Sequence, residues 1–147
     1  RFVELAGGVN YGSTLANAYS VDISLEGLIE ADPDHIIATG ANWKETRPEV
    51  TSILLGYDGD PVENQAKLQA LAERTGFAQM RAVKESNMHA IYHQFYNSPY
   101  HFVAVQQIAK WLHPEEFADL DPQASFEELH DQFLPFEASG QFWASLK

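Results

Sequence analysis

The chain has 147 residues, 45% of them apolar and 12% aromatic, enough for an α/β domain with a real core and too apolar for a disordered segment. Its 21 acidic residues against 9 basic ones leave a net charge of −12, which repels phosphate backbones and removes nucleic acid as an expected partner. Cysteine is absent, so disulfide frameworks, thiol catalysis and cysteine-ligated metal sites are excluded, and no apolar run approaches the ~18–20 residues of a membrane-spanning helix.

Taken in chain order, Phe2 to Ala6 followed by Gly7 and Gly8 reads as the end of a helix closed by glycine. A helix that starts at Arg1 has lost its beginning, and the chain is expected to be a fragment. Ser24 stands before Leu25, Leu28 and Ile29 as an N-cap, and Pro33 stops that short helix because the residue before proline is pushed out of the α region. Residues 35 to 39 are a short apolar run ending at Gly40, which predicts a strand buried on both faces of a parallel sheet. From 40 to 60 no strong period appears; the stretch predicts a long loop with a partly helical insertion near 49 to 55.

Pro61 suits a first helical position, and Ala66, Leu68, Leu71 and Ala72 continue at helical spacing until Thr75 and Gly76. Residues 88 to 92 predict a second core strand, followed by a polar and aromatic turn from 93 to 99. Phe102, Val105, Gln106, Ala109 and Leu112 give the next helix a single buried stripe, closed by His113 and Pro114. Pro122 and Ser125 with Phe126, Leu129 and Phe133 predict a last amphipathic helix, while 140 to 146 is too short to assign. The alternation argues for one Rossmann-like α/β lobe: a mostly parallel central sheet flanked by helices, with a ligand site at the carboxyl ends of its strands.

Two segments therefore converge on the expected site, 39 to 47 after the first strand and 93 to 101 after the second. Between them they hold Asn42, Trp43, Arg47, His93, Gln94, Phe95, Tyr96, Asn97, Tyr100 and His101. Flat π faces, hydrogen-bond donors and one fixed positive charge suit a bulky anionic or chelated ligand. Any single aromatic in this set also has a plain alternative, as a cap on the core. Trp43, Arg47, Tyr96 and Tyr100 are the expected ligand contacts.

Catalytic residues are not expected. No GxSxG elbow and no GxGxxG or GxxxxGK[ST] phosphate loop occurs, and carboxylate pairs such as Asp58 with Asp60 or Glu115 with Glu116 sit on polar turns. No metal or other cofactor is expected either. His89 and His93 lie about 13 Å apart at strand rise, too far for one ion, and no HExxH motif accompanies them.

The run from Glu4 to Asn10, then Ile23-Ser24-Leu25-Glu26-Gly27-Leu28-Ile29-Glu30-Ala31-Asp32-Pro33-Asp34 leading into His35 to Gly40, resembles the second lobe of the helix-linked (class III) periplasmic binding proteins. These serve ABC importers of iron-siderophores, haem and cobalamin. Ala82 to Ile91 is similar to a segment of that family, with Ser86-Asn87 where the family carries glycine and arginine. Phe95 to Ala104, continuing through Trp111-Leu112-His113-Pro114, is similar to a subgroup acting on iron compounds. The resemblance runs nearly end to end. It implies that residues 1 to 147 are the C-terminal lobe of a two-lobe binding protein that captures an iron chelate of siderophore type in the periplasm, with lipid anchoring of the full-length protein a further option. It also implies permease membrane subunits as partners, with Glu26 matching the glutamate that the family presents to permease arginines. Two rival readings remain: a binding protein for haem or a metal oxyanion, and a metal-dependent hydrolase built on His89, His93 and His101.

Overall fold

The computed structural model describes residues 1 to 16, 20 to 43 and 52 to 147. Contacts divide the chain into two compact units: Arg1–Ser24 with Phe95–Ala138, and Leu25–Gln94 with Ser139–Lys147.

The second unit holds the sheet. Helix α3 (Leu25–Ala31) starts directly after Ser24, and β1 (Ile36–Gly40) follows past Pro33. Helix α4 (Pro61–Ala72) begins where the Asp60 carboxylate accepts from the backbone N–H groups of Val62 and Glu63, both at 2.8 Å. That satisfies two of the donors a helix start leaves open, and Pro61 gives up none that was needed. A 3-10 turn (Phe77–Gln79) and the short α5 (Arg81–Lys84) lead into β2 (Met88–Tyr92). The Arg81 guanidinium reaches Asp34 at 2.8 Å, and its backbone N–H donates to the Asp32 carboxylate, clasping α5 to the turn before β1.

Strand order is β1-β2-β3, where β3 (Trp143–Ser145) is the segment the sequence left unassigned. The first pair is parallel, with Ile36 opposite Met88 and Gly40 opposite Tyr92; the second is antiparallel, with Ala90 opposite Ala144. The sheet is thus mixed. β2 is the central strand and is buried along most of its length, whereas β1, at an edge, is only partly covered and exposes Thr39. Burial of β1 on both faces is accordingly not realised.

Alternation along each strand sorts the side chains. Ile36 and Ala38, Met88 and Ala90, and Ala144 and Leu146 face α4 and pack with Leu68, Ala72, Ile53 and Leu55 in one apolar core. Asn64 is fully buried on α4, and its amide donates to the Leu54 carbonyl and to the Gln141 side chain, both at 2.8 Å. Residues 52 to 55 are not helical, so the described part of the expected insertion near 49 to 55 is corrected; 49 to 51 lie outside the described residues.

The first unit is helical. Helix α1 (Phe2–Leu5) ends at Gly7 (φ +84), and α2 (Tyr11–Leu15), which the sequence did not announce, is capped by the Asn10 side chain accepting from the Gly12 N–H at 3.1 Å. Gly8 lets α1 approach α6 (His101–Leu112), because a Cβ there would meet Leu112 at 2.6 Å. In α6 the buried residues are Val103, Ala104, Gln107, Ile108 and Ala109, so Phe102 is exposed and the buried stripe is rotated by about one residue from expectation. In α7 (Pro122–Phe133) the buried line is Pro122, Phe126 and His130, at i, i+4 and i+8. Phe133 is 76% exposed. Histidine replaces phenylalanine in the buried line because its Nδ1 reaches the Phe126 carbonyl one turn back, at 2.8 Å, and its polar atom is satisfied inside the core.

Candidate functional site

Register fixes the first part of the site. Gly40 is paired with Tyr92, so β1 and β2 end side by side and the residues that follow them leave from the same sheet edge. Gly40 is buried against the backbone of Ile53; a Cβ there would lie 2.3 Å from the Ile53 carbonyl oxygen, so only glycine allows this approach. The Ser52 hydroxyl donates to the Ala41 carbonyl at 3.3 Å, and the Trp43 N–H donates to the same residue at 3.1 Å. These contacts set the Trp43 indole edge-on to the His93 ring, with ring centres 5.4 Å apart and planes at 69°. A 3-10 turn (His93–Asn97) takes the place of the expected irregular turn.

Behind this edge lies an aromatic group that the sequence did not reveal. Phe142 is buried between Tyr92, at 5.0 Å, and Tyr57, at 4.9 Å, both edge-on. Its only advance signal was the unassigned aromatic pair Phe142-Trp143.

The remaining expected contacts are distributed as follows. Arg47 lies outside the described residues. Tyr96 and Tyr100 belong to the helical unit, whereas Trp43 belongs to the sheet unit. Tyr96 is 56% exposed. Tyr100 is half-buried, edge-on to Phe126 at 5.7 Å and to Phe95 at 6.2 Å, and beside His130 at 6.1 Å. Tyr100 thus also serves its unit's core, and Phe95 is wholly a core residue. Glu26 is exposed in the first turn of α3, with Leu25 and Ile29 partly exposed on the same helix.

The histidines have separate surroundings. His89 is buried, with Nδ1 at 2.9 Å from the Ser145 hydroxyl and Nε2 at 3.3 Å from Nδ1 of His35. Burial, and after it the charge of His35, push its pKa down to about 4. His93 lies against Trp43, while His101 stacks on Phe2 at 5.9 Å and its Nδ1 lies 3.0 Å from the Ser98 carbonyl. Among the described residues no group of three or more histidine, aspartate or glutamate side chains could hold a metal ion.

Among solved structures, the chain is similar to the TroA-like periplasmic binding protein FepB from Veillonella parvula, with a TM-score of 0.87, 31% identity and 98% of this chain matched. The fold is that of TroA-like periplasmic binding proteins. A periplasmic solute binding protein from Veillonella parvula DSM 2008 matches over 94% of the chain with a TM-score of 0.60 and 15% identity, a likeness of fold alone. The chain spans 41% of the length of the first of these proteins and 37% of the second. No protein-family model and no curated protein matches the sequence. In the TroA-like frame the expected α/β lobe is present, and no described helix is long and apolar enough to cross a membrane.

Proposed function

We propose that the chain is the C-terminal lobe, residues 1 to 147, of a periplasmic substrate-binding protein that captures an iron chelate of siderophore type and delivers it to the permease of an ABC importer. The observation that supports this most is the coincidence of a TroA-like fold at 31% identity with an aromatic edge, Trp43 on His93, at the paired carboxyl ends of β1 and β2. Open α/β sheets bind their ligands at such ends. Trp43 and the exposed Tyr96 offer ring faces to the chelate, Tyr100 offers its hydroxyl, and Arg47 offsets the ligand's negative charge. No bond is made or broken, so the protein is not an enzyme. Glu26, on the exposed side of α3, meets a permease arginine and gives docking its register more than its affinity.

Two measurements on the full-length protein test this reading. Ferric catecholate and ferric hydroxamate chelates are titrated while tryptophan emission is followed, and Trp43→Ala should weaken the better ligand by roughly tenfold or more. Equal binding by the variant removes Trp43 from the site, and a visible absorption band with haemin in place of chelate binding would make haem the ligand. Uptake by cells carrying Glu26→Arg should fall while chelate binding stays intact; unchanged uptake refutes the docking role.

A further inference from the structure

One polar chain crosses the whole sheet on the side away from α4. His89 sits on central β2, and its Nδ1 meets the Ser145 hydroxyl on β3 at 2.9 Å. Its Nε2 meets Nδ1 of His35, the residue just before β1, at 3.3 Å. The two imidazole planes differ by only 21° and their centres are 5.6 Å apart. With the facing nitrogens 3.3 Å apart, that separation is nearly used up by the nitrogen gap and the two ring radii. The rings therefore point at each other nitrogen to nitrogen instead of lying face on face.

This geometry has room for one proton and not for two. A neutral pair needs a single N–H between the facing nitrogens, and a singly charged pair keeps the same bond in charge-assisted form. A second proton puts two N–H groups head to head inside a site where His89 is only 5% exposed. The same alignment disfavours a shared tetrahedral metal, whose two ligands would point at a common apex and not at each other.

We propose that the chain His35, His89, Ser145 is an acid-sensitive fastening: loading the histidine pair with its second proton detaches β3 from β2 while the rest of the fold persists. The β2–β3 ladder is short, three residue pairs; on this face Ser145 to His89 is a link across it, while Ala144 and Leu146 pack against α4 on the other face. The depressed pKa of His89, caused first by burial and then by His35, agrees with a pair that resists double charging. Asp34, beside His35, is paired with Arg81 at 2.8 Å; Glu63 and Lys67 of α4, on the other face of the sheet, pair with each other at 2.7 Å; β3 presents Ser145 toward His89 and the apolar Ala144 and Leu146 away from it.

Trp143 lies on β3 two residues from Ser145, and it becomes the sole indole of residues 1 to 147 in a Trp43→Phe, Trp111→Phe background. Its emission is followed from pH 8 to pH 3.5 beside far-UV circular dichroism. The expected result is a Trp143 transition below the ordinary histidine range that precedes any loss of helical signal. Replacing His35 with glutamine should lower its midpoint by roughly one pH unit or remove it, since no second N–H is left to oppose that of His89, and His89→Gln should abolish it. Should His89→Gln fail to fold, the His35→Gln midpoint decides alone. Simultaneous loss of emission and helical signal, or a midpoint unmoved by His35→Gln, overturns the proposal.

Discussion

Each unit buries one histidine, and the two are held in opposite ways. His130 is fully buried in the helical unit, and Nδ1 donates to a carbonyl one turn back on its own helix, amid Phe126 at 4.2 Å and Phe136 at 5.7 Å. His89, in the sheet unit, meets Ser145 and His35, which lie 56 and 54 residues away along the chain. The first is a helix feature that a ring cluster encloses; the second is a product of strand pairing. The first histidine is therefore placed by its own helix, and the second by polar links that exist only once the sheet has closed.

The largest test of this contrast is to hollow out the ring cluster. Phe126→Ala removes a ring that Phe95, Tyr100 and His130 all touch, and it should cost about 3–5 kcal/mol, read from denaturant midpoints. A cost below ~1 kcal/mol would mean that the cluster is not what holds the helical unit. Acid is the matching probe of the other histidine. His89 has a folded pKa below its unfolded one, so the unfolded state binds more protons; the stability it contributes is complete above about pH 6.5 and is lost as pH falls from there toward about 4. Melting temperatures across that window should fall more steeply for the native chain than for His35→Gln, in which the mutual repulsion is absent.

Helix caps sharpen the comparison at a smaller scale. Asp60 accepts from two N–H groups at 2.8 Å, whereas Asp121 at the start of α7 accepts from one, Ala124, at 3.0 Å. Asp60→Ala should cost about 1–2 kcal/mol and Asp121→Ala about half as much, measured by urea unfolding. The smallest effect has the opposite sign. Ser86 holds φ +58, in the left-handed region that glycine enters without strain, so Ser86→Gly should stabilise the chain by roughly 0.5 kcal/mol.

Ser86 also shows what the sequence made legible. Its place in the resemblance is a family glycine, and the left-handed backbone gives the reason. β1, β2, α4, α6 and α7 could be read because short apolar runs, proline starts and helical spacing act locally. β3 could not, since three residues carry no period and its pairing depends on a strand more than fifty positions earlier. The buried face of α7 was extended too far because the partner of His130 is a backbone carbonyl, which leaves no mark in a hydrophobic pattern. At the site, the neighbouring ends of β1 and β2 followed from strand alternation alone. Tyr100's share in the ring cluster did not, because it depends on α7, more than twenty residues further on.

The close seat of Gly40 on Ile53, together with the Ser52 to Ala41 hydrogen bond, ties two legs of the chain, 40 to 41 and 52 to 53, to each other. Whatever sequence runs between those legs begins and ends at the same fixed point on the sheet.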